Sequence, residues 1–281
     1  MSHTLSAPDL KALSHLLNHY LLETKQPPHA GSKQLFIADQ PCGWVRADAA
    51  KALESLPSIR VNTQSVHLGL AAEISANQTV LNDLLAQAAI TLKEAGCCIA
   101  WRNELLDVWA GDVSIGAIER GVVRPLGLTT RAVHLNAYNS AGQLWVARRA
   151  LNKPTDPGLW DTLVGGLVGY RESDDLALVR ETDEEAGLSP EQIKRRTPIR
   201  QITVMQRQLP EGYQVERVLT SECELADDCI PVNQDGEVMT IRCIDPLELV
   251  DMLHHKLFTT EASIVIAEDL CRRARLLTPN L

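Results

Sequence analysis

Apolar and polar positions repeat along the chain with two different periods, which predict both helices and strands. Apolar side chains recur every three or four residues over 8–24 and 77–95, which is typical of amphipathic helices. Two further helices are predicted at 246–256 and 261–275. Period-two alternation on both sides of the turn "NSAG" predicts a β-hairpin, and three more strands follow before the last two helices. The pattern therefore predicts an α/β chain of the α+β type.

Glycine and proline interrupt the pattern over 111–130, and we place a domain junction there. A chain of 281 residues is long enough for two modest domains. We predict a small N-terminal α+β domain over 1–125 and a second domain over 126–281. The long helix of the first domain is expected to bury a stripe that includes Val80 and Leu84.

Composition and charge limit the kinds of molecule that the protein is expected to bind. Hydrophobic residues make up 45% of the chain and the formal net charge is −9, so we expect a folded protein without the basic surface of a general nucleic-acid or membrane binder. No stretch approaches the roughly 20 apolar residues of a membrane span, and the start of the chain does not resemble a signal peptide. The seven cysteines show no zinc-binding spacing, which indicates reduced thiols. We expect a soluble, cytoplasmic protein.

One short stretch, "GGLVGYRESDDLALVRETDEEAGL" at 165–188, concentrates acidic residues on a single predicted helix. Ser173 is its expected N-cap and Gly187 its expected end. An apolar face is expected to pack on a sheet and contains Leu178, Val179, Thr182 and Ala186. A carboxylate face beside it places three glutamates at positions i, i+3 and i+4: Glu181, Glu184 and Glu185.

Crowded carboxylates on a helix admit two interpretations. On an exposed face, a pair of like charges at this spacing costs only about 0.2–0.5 kcal/mol, so a solvated face tolerates the cluster. In a partly buried site with an effective dielectric near 20, a pair about 6 Å apart costs roughly 3 kcal/mol. Such a site needs a neutralising cation or retained protons. Hard divalent ions prefer such oxygen ligands, Mg²⁺ above all, with Mn²⁺ as a substitute.

The spacing of the stretch favours the second interpretation. Gly166 is followed after five residues by Glu172, and after seven more come Arg180 and the three glutamates, closed by a glycine. This arrangement resembles the Nudix box, G-x5-E-x7-R-E-U-x-E-E-x-G-U, over 166–188. Thr182 occupies a position that is usually bulky and apolar, which affects packing more than chemistry.

The resemblance implies a fold, a reaction and a set of roles. Nudix proteins build an α/β/α sandwich and use Mg²⁺ to hydrolyse a diphosphate linked to an organic moiety, by attack of water on phosphorus. The residues that match the family's metal-binding positions are Glu181, Glu184, Glu185, the backbone of Gly165 or Gly166 and, in some members, Glu172. Arg180 matches the arginine that orients a catalytic glutamate. The general base is expected to be Glu181, Glu184 or a residue outside the box.

Weaker resemblances extend over nearly the whole chain. The stretches 42–57, 101–110 ("WRNELLDVWA") and 231–238 are similar to segments of Nudix proteins related to thiamine pyrophosphokinase. That group is associated with hydrolysis of thiamine diphosphate, and particularly its oxidised forms, to the monophosphate. The resemblance therefore implies thiamine diphosphate or a damaged analogue as substrate. Nucleoside-diphosphate derivatives are the alternative within the same class of reaction.

Residues on the strands and loops around the box are candidates for substrate binding. Arg148 and Arg149 are adjacent on a strand, so one of them must point inward, unless the pair is only a charged strand edge. His134 could hydrogen-bond substrate or serve the core, and Glu237 could reach the metal site or cap a strand. Four tryptophans could stack on a flat ring or fill the core: Trp101, Trp109, Trp145 and Trp160.

Two other functions fit the sequence less well. A Nudix-fold binding protein without turnover usually lacks box glutamates, and all of them are present here. An isomerase of isoprenoid diphosphates needs a cysteine motif that this chain lacks. The expected partner is therefore a small-molecule diphosphate, with no nucleic acid and no membrane. The sequence decides neither whether the protein forms a homodimer nor what the N-terminal domain does.

Overall fold

The computed structural model describes residues 5–69, 78–153, 155–234 and 236–277. Its helices are α1 (Ala7–Glu23), α2 (Ala47–Leu53), α3 (Gln78–Glu94), α4 (Asp174–Ala186), α5 (Pro246–His254) and α6 (Thr260–Leu277). Its strands are β1 (Lys33–Ile37), β2 (Gln40–Val45), β3 (Ile59–Val61), β4 (Ser65–Leu68), β5 (Leu105–Ala110), β6 (Val113–Glu119), β7 (Thr129–Tyr138), β8 (Leu144–Arg149), β9 (Trp160–Thr162), β10 (Val164–Leu167), β11 (Arg200–Leu209), β12 (Gly212–Glu224) and β13 (Val238–Ile244). Within these described ranges, no helix has the length and apolar character needed to cross a membrane.

The predicted α+β class is confirmed, and the predicted helices and the hairpin β7–β8 are present with small shifts at their ends. The prediction for Val80 was wrong: its side chain is 48% exposed, whereas Leu84 on the same helix is buried. Residue 77, the predicted start of that helix, lies outside the described residues. The predicted junction over 111–130 contains strand β6 and a short 3₁₀ turn. The division at residue 125 and the cytoplasmic location stay predictions.

The first sheet has four strands in the order β2-β1-β4-β3, with β1 and β4 parallel. Helices α2 and α3 cover it, and the hairpin β5–β6 packs on α3. These elements share one apolar core, whose fully buried members include Leu35, Val66, Leu85 and Val108. The segment before residue 125 thus contains a hydrophobic core of its own.

The second sheet is mixed and has seven strands. Its central path is β11-β12-β7-β8-β13, while β10 pairs with β7 and β9 pairs with β8. Strands β12 and β7 run parallel over ten residue pairs, and the other pairs in this sheet are antiparallel. Because β10 lies directly before the loop that leads into α4, the sheet fixes where that helix begins.

Helices cover the second sheet on both faces. On one face, α4 buries Ala177 and Leu178 against Val133 and Leu135 of β7. On the other face, α5 and α6 pack against Leu144 and neighbouring apolar residues. Helix α1 joins this second layer, since Leu13 belongs to the same core and the Tyr20 hydroxyl donates to the Leu253 carbonyl at 2.9 Å. The result is an α/β/α sandwich.

The two sheets are joined by backbone hydrogen bonds. The N–H groups of Trp44 and Arg46 donate to the carbonyls of Leu126 and Pro125, each at 3.0 Å. The N–H of Tyr170, in the loop before α4, donates to the Leu105 carbonyl at 2.8 Å. These bonds hold the first core beside the N-terminal end of α4.

Candidate active site

Helix α4 carries the predicted carboxylate cluster, and its ends are fixed as the sequence predicts. The Ser173 side chain accepts a hydrogen bond from the Leu176 N–H at 3.2 Å, and Gly187 ends the helix in the left-handed conformation with φ 62°. Thr182 is fully buried, and its hydroxyl donates to the Leu178 carbonyl at 2.5 Å. The apolar side of α4 therefore faces the sheet, which leaves the glutamates beside it.

Arg180 donates hydrogen bonds to three carboxylates of the box, those of Glu172, Glu181 and Glu184. Its Nε and Nη2 donate to the two Glu172 oxygens, both at 2.9 Å, which is the bidentate arrangement that a guanidinium favours. Its Nη1 donates to Glu181 at 2.8 Å and to Glu184 at 3.1 Å. Hydrogen bonds from Arg180 lower the pKa of Glu172, so this carboxylate stays ionised as the partner that fixes the guanidinium.

Glu181 lies against the backbone of Gly166. A Cβ atom added at Gly166 would stand only 2.0 Å from the Glu181 carboxyl carbon, so only glycine leaves room for this side chain. The Glu181 side chain is 14% exposed. Burial raises its pKa, and Arg180 offsets part of that rise. The glycine that opens the box therefore serves to seat the first glutamate of the helix.

Glu185 is the most deeply placed glutamate of the cluster. Its carboxylate accepts a hydrogen bond from the Gly165 N–H at 2.8 Å, and no described lysine or arginine lies within ion-pair distance of it. Burial raises its pKa well above the ordinary value, and Glu181 and Asp161 add to the rise. A partly desolvated carboxylate with so little compensation favours binding of a proton or a cation.

Glu181 and Glu185 both line a cavity of about 260 Å³, which we term the inner cavity. Its wall brings together α4, strands β7–β10, β12, the start of α6 and the segment before β7. The acidic residues on its wall are Asp156, Asp161, Glu181, Glu185, Glu216, Glu237 and Glu261. The cationic residues on its wall are Arg102, Arg120, Arg124, Arg149 and Lys153. Glu184 lies outside this wall, on the more exposed side of α4.

The donor set suits a hard cation. Across the described ranges, no three His, Cys, Asp or Glu side chains converge closely enough to hold a metal ion, and Arg180 contacts two of the three candidate glutamates. The cavity nevertheless presents oxygen donors, and the half-buried Glu185 has no lysine or arginine at ion-pair distance in the described chain. Glu181 and Glu185 are therefore the residues that would hold Mg²⁺, together with backbone oxygen at the Gly165–Gly166 turn.

Residues 128–265, which include α4 and the strands around it, match the family model described as NUDIX domain. The chain carries a Nudix domain. The matched residues include the box over 166–188.

Curated relatives agree with this assignment. The chain is 32% identical over 169 residues to Nudix hydrolase 24, chloroplastic, of Arabidopsis thaliana, covering 58% of this chain and 46% of that protein. It is 28% identical over 196 residues to an uncharacterized protein, YJR142W, of Saccharomyces cerevisiae, covering 64% of this chain and 57% of that protein. The chain spans about half the length of the curated relatives it matches. Among solved structures, DR0079 from Deinococcus radiodurans is 27% identical with a TM-score of 0.44, covering 61% of this chain and 99% of that one.

The side chains of the two adjacent arginines of β8 point to opposite sides of the strand. Arg149 lines the inner cavity and its Nη1 lies 3.1 Å from the Asp161 carboxylate. Arg148 points to the other side, where its Nε donates to the Gly158 carbonyl at 2.9 Å and its guanidinium lies 5.9 Å from the Trp160 ring centre. Alternation along the strand thus brings only Arg149 to the site.

His134 and Glu237 both reach the inner cavity. His134 is buried, with a relative exposure of 5%. Its Nδ1 lies 3.0 Å from the Thr162 hydroxyl, and its Nε2 has no hydrogen-bond partner among the described residues. Burial lowers the pKa of His134, so the ring is neutral at neutral pH. Glu237 forms an ion pair with Lys153 at the cavity wall.

Glu216 and Glu261 also line the inner cavity, although neither residue belongs to the Nudix box. Thr130 donates to one Glu216 oxygen at 3.0 Å, Gln214 donates to the other at 3.1 Å, and Gln214 also lies 3.1 Å from Glu261. Burial and the neighbouring Glu261 raise the pKa of Glu216. The available signal was a glutamate in the middle of a predicted strand, since Glu216 lies within β12. None of the four tryptophans is on the described wall of this cavity.

Proposed function

We propose that this chain is a Mg²⁺-dependent Nudix pyrophosphohydrolase that cleaves a diphosphate linked to an organic moiety and releases the monophosphate. The observation that carries the proposal is the placement of Glu181 and Glu185 on one cavity wall with arginines on the same cavity. Carboxylates that face a cavity favour a divalent ion, and arginines favour phosphate oxygens. An organic diphosphate with Mg²⁺ satisfies both.

The chain's own residues would position the reaction. Glu172 fixes Arg180 by two hydrogen bonds, and Arg180 in turn orients Glu181 and Glu184. Glu181, on the cavity wall, or Glu184, which accepts from the same Arg180 nitrogen, would take the proton of the attacking water. Bound Mg²⁺ supplies polarisation of the phosphate oxygens and a lower pKa of bound water. Arg149 and His134 would contact the substrate from β8 and β7.

The substrate class is proposed from the sequence. Resemblance over nearly the whole chain favours thiamine diphosphate or its oxidised analogues, and nucleoside-diphosphate derivatives are the competing class. The inner cavity offers both ionic and hydrogen-bonding groups, so it is compatible with a polar organic diphosphate. Because the chain spans only about half the length of its curated relatives, experiment has to decide between the two substrate classes.

A hydrolysis panel tests the proposal. Purified protein with Mg²⁺ is incubated with oxothiamine diphosphate, thiamine diphosphate, ADP-ribose and nucleoside diphosphates, and release of the monophosphate products is measured by chromatography. We expect release from at least one organic diphosphate, with Glu184→Gln and Glu185→Gln each reducing turnover more than tenfold. Glu191→Gln, an exposed glutamate beyond the box, serves as the matched control. Absence of release across the panel, or near-normal rates in both variants, would count against hydrolysis.

A further inference from the structure

A second cavity of about 180 Å³ adjoins the inner cavity, and we term it the outer cavity. The two cavities share five lining residues: Arg102, Arg120, Arg124, Thr155 and Leu167. Three of these five are arginines, so guanidinium groups stand where the cavities meet. The remaining wall of the outer cavity includes apolar residues such as Ile99, Ala100 and Val123. Together the two cavities reach the size of about 300–1,000 Å³ that is typical of small-molecule sites.

All three arginines come from the part of the chain before the Nudix domain. Arg102 lies in the loop before β5, Arg120 opens the 3₁₀ turn after β6, and Arg124 follows that turn. Arg102 belongs to the stretch 101–110 that the sequence singles out and that the box glutamates leave without a role. The N-terminal segment therefore supplies cations to a cavity whose carboxylates come from the Nudix domain.

Hydrogen bonds fasten the loops that carry these arginines. The buried carboxylate of Glu119 accepts from the Arg102 N–H at 2.7 Å and from the Gly121 N–H at 3.2 Å. Glu104 lies 2.7 Å from Nη1 of Arg120, and Glu211 pairs with Arg124. The loops are therefore held in place before any ligand binds, which lowers the entropic cost of binding.

Arg102 differs from its two neighbours. Its side chain is exposed, and within the described part of the chain no acidic side chain forms an ion pair with it. Its backbone is fixed by Glu119, and the residue lines both cavities. A guanidinium offers up to five N–H donors in a planar fork that matches phosphate oxygens. Arg102 is thus the cation of this group with the most free donors.

We propose that Arg102, Arg120 and Arg124 form an anion-binding collar that contacts the substrate phosphates opposite Glu181 and Glu185. The N-terminal segment then completes the substrate site of the Nudix domain. The proposal rests on the proposed function for the identity of the substrate as a diphosphate. Binding of the phosphates, however, does not require turnover, so the two can be tested separately.

Calorimetric titration with the Mg²⁺ complex of methylenediphosphonate, a diphosphate analogue that cannot be hydrolysed, tests the collar. Loss of a hydrogen bond to a charged group costs about 1.5–3 kcal/mol, so we expect Arg102→Ala to weaken binding at least tenfold. Arg60→Ala, which removes an exposed arginine on β3, should change the affinity less than twofold. Equal affinities of Arg102→Ala and wild-type protein would overturn the proposal.

A charge substitution at an exposed neighbour provides a second test that does not remove an arginine. Ile99 lines the outer cavity and its side chain is 73% exposed, so a change there leaves the core intact. We expect Ile99→Glu to weaken binding of the analogue at least threefold at low salt through repulsion, and Ile99→Lys not to weaken it. Identical affinities of the two variants would contradict an anion site beside Ile99.

The outcomes separate the collar from the reaction. If wild-type protein binds the analogue through Arg102 but hydrolyses no diphosphate in the panel, the collar stands and the proposed hydrolysis fails. If the protein hydrolyses a diphosphate and Arg102→Ala changes neither the affinity for the analogue nor KM, hydrolysis stands and the collar fails.

Discussion

Two carboxylate clusters in this molecule differ in how their charge is satisfied. On α6, Asp269 is 1% exposed and accepts from the Tyr138 hydroxyl at 2.5 Å, from Asn136 at 3.2 Å and from Arg272 at 2.7 Å. Glu222 beside it pairs with Arg272 and Arg273. We term this the closed cluster, because protein groups supply its donors and cations.

The second cluster, which we term the open cluster, consists of Asp161, Glu181 and Glu185 on the wall of the inner cavity. Arg149 and Arg180 contact two of these residues, whereas Glu185 has the Gly165 N–H and no cation at ion-pair distance in the described chain. A closed cluster stabilises the fold by itself, while an open cluster next to a cavity is arranged for a ligand. The carboxylates of the closed cluster are buried, whereas those of the open cluster are half-buried beside a cavity.

The largest effect is expected in the closed cluster. Asp269→Ala leaves the buried Tyr138 hydroxyl and the Asn136 amide without their acceptor and removes one of the two carboxylates that pair with Arg272, so we expect the free energy of unfolding to fall by about 3–5 kcal/mol. Asp251→Ala, which removes an exposed aspartate of α5, should change it by less than about 0.5 kcal/mol. Chemical denaturation of both variants measures the difference. A loss below about 1 kcal/mol for Asp269→Ala would show that the closed cluster is not structural.

The next effect is expected in the open cluster and concerns metal affinity. Glu185→Gln keeps an oxygen acceptor for the Gly165 N–H but removes the charge, so we expect Mg²⁺ affinity to fall more than a hundredfold. Stability in EDTA should be unchanged or higher, because a buried carboxylate is lost. Mg²⁺ titrations followed by thermal unfolding measure both quantities. The same Mg²⁺-dependent rise in Tm in wild type and variant would remove Glu185 from the metal site.

A pH dependence should separate the clusters further. Burial raises the pKa of Asp161 to about 6, above the value of about 3.9 expected in the unfolded chain. Between these values the native state binds more protons, so this residue's contribution to stability is full below pH 4 and is lost as the pH rises towards 6, by about 2–3 kcal/mol. In EDTA, the stability of Asp161→Asn should not show this part of the decline with rising pH. Parallel stability curves of wild type and Asp161→Asn from pH 4 to 6 would contradict the raised pKa.

The smallest effect is expected on the apolar side of α4. Thr182→Val replaces a hydroxyl that bonds within its own helix by a methyl group of similar size, so the free energy of unfolding should change by less than about 1 kcal/mol. Turnover should stay within twofold, because Thr182 faces the sheet and not the cavity. Parallel measurements of unfolding and turnover check this. A strong loss of turnover would show that the two sides of α4 are coupled.

Local signals were sufficient to predict much of the fold and the box. Ser173 and Gly187 fixed the ends of α4 because capping depends on neighbouring residues alone. The turn "NSAG" and the alternation beside it located the hairpin β7–β8 for the same reason. Val80 was misassigned because helical spacing alone does not show where a covering element ends. The side on which each β8 arginine lies followed only from the register of the folded sheet.

Long-range contacts could not be predicted in this way. Glu216 and Glu261 meet Glu185 at one cavity although they come from β12, α6 and α4, and no local pattern relates these elements. The packing of α1 on α6 and the contribution of Arg102 to the cavity are of the same kind. The roles assigned to the site residues stay proposals, since geometry places side chains together without showing turnover.

The contact between α1 and α6 has a consequence for synthesis of the protein. Helix α1 leaves the ribosome early, yet the surface it covers is completed only when α6 has been made, more than 230 residues later. During that interval the apolar side of α1 lacks α6, its main native partner in this layer, and such surfaces attract chaperones or aggregate. We therefore expect nascent chains arrested before α6 to be bound by chaperones and sensitive to protease at α1.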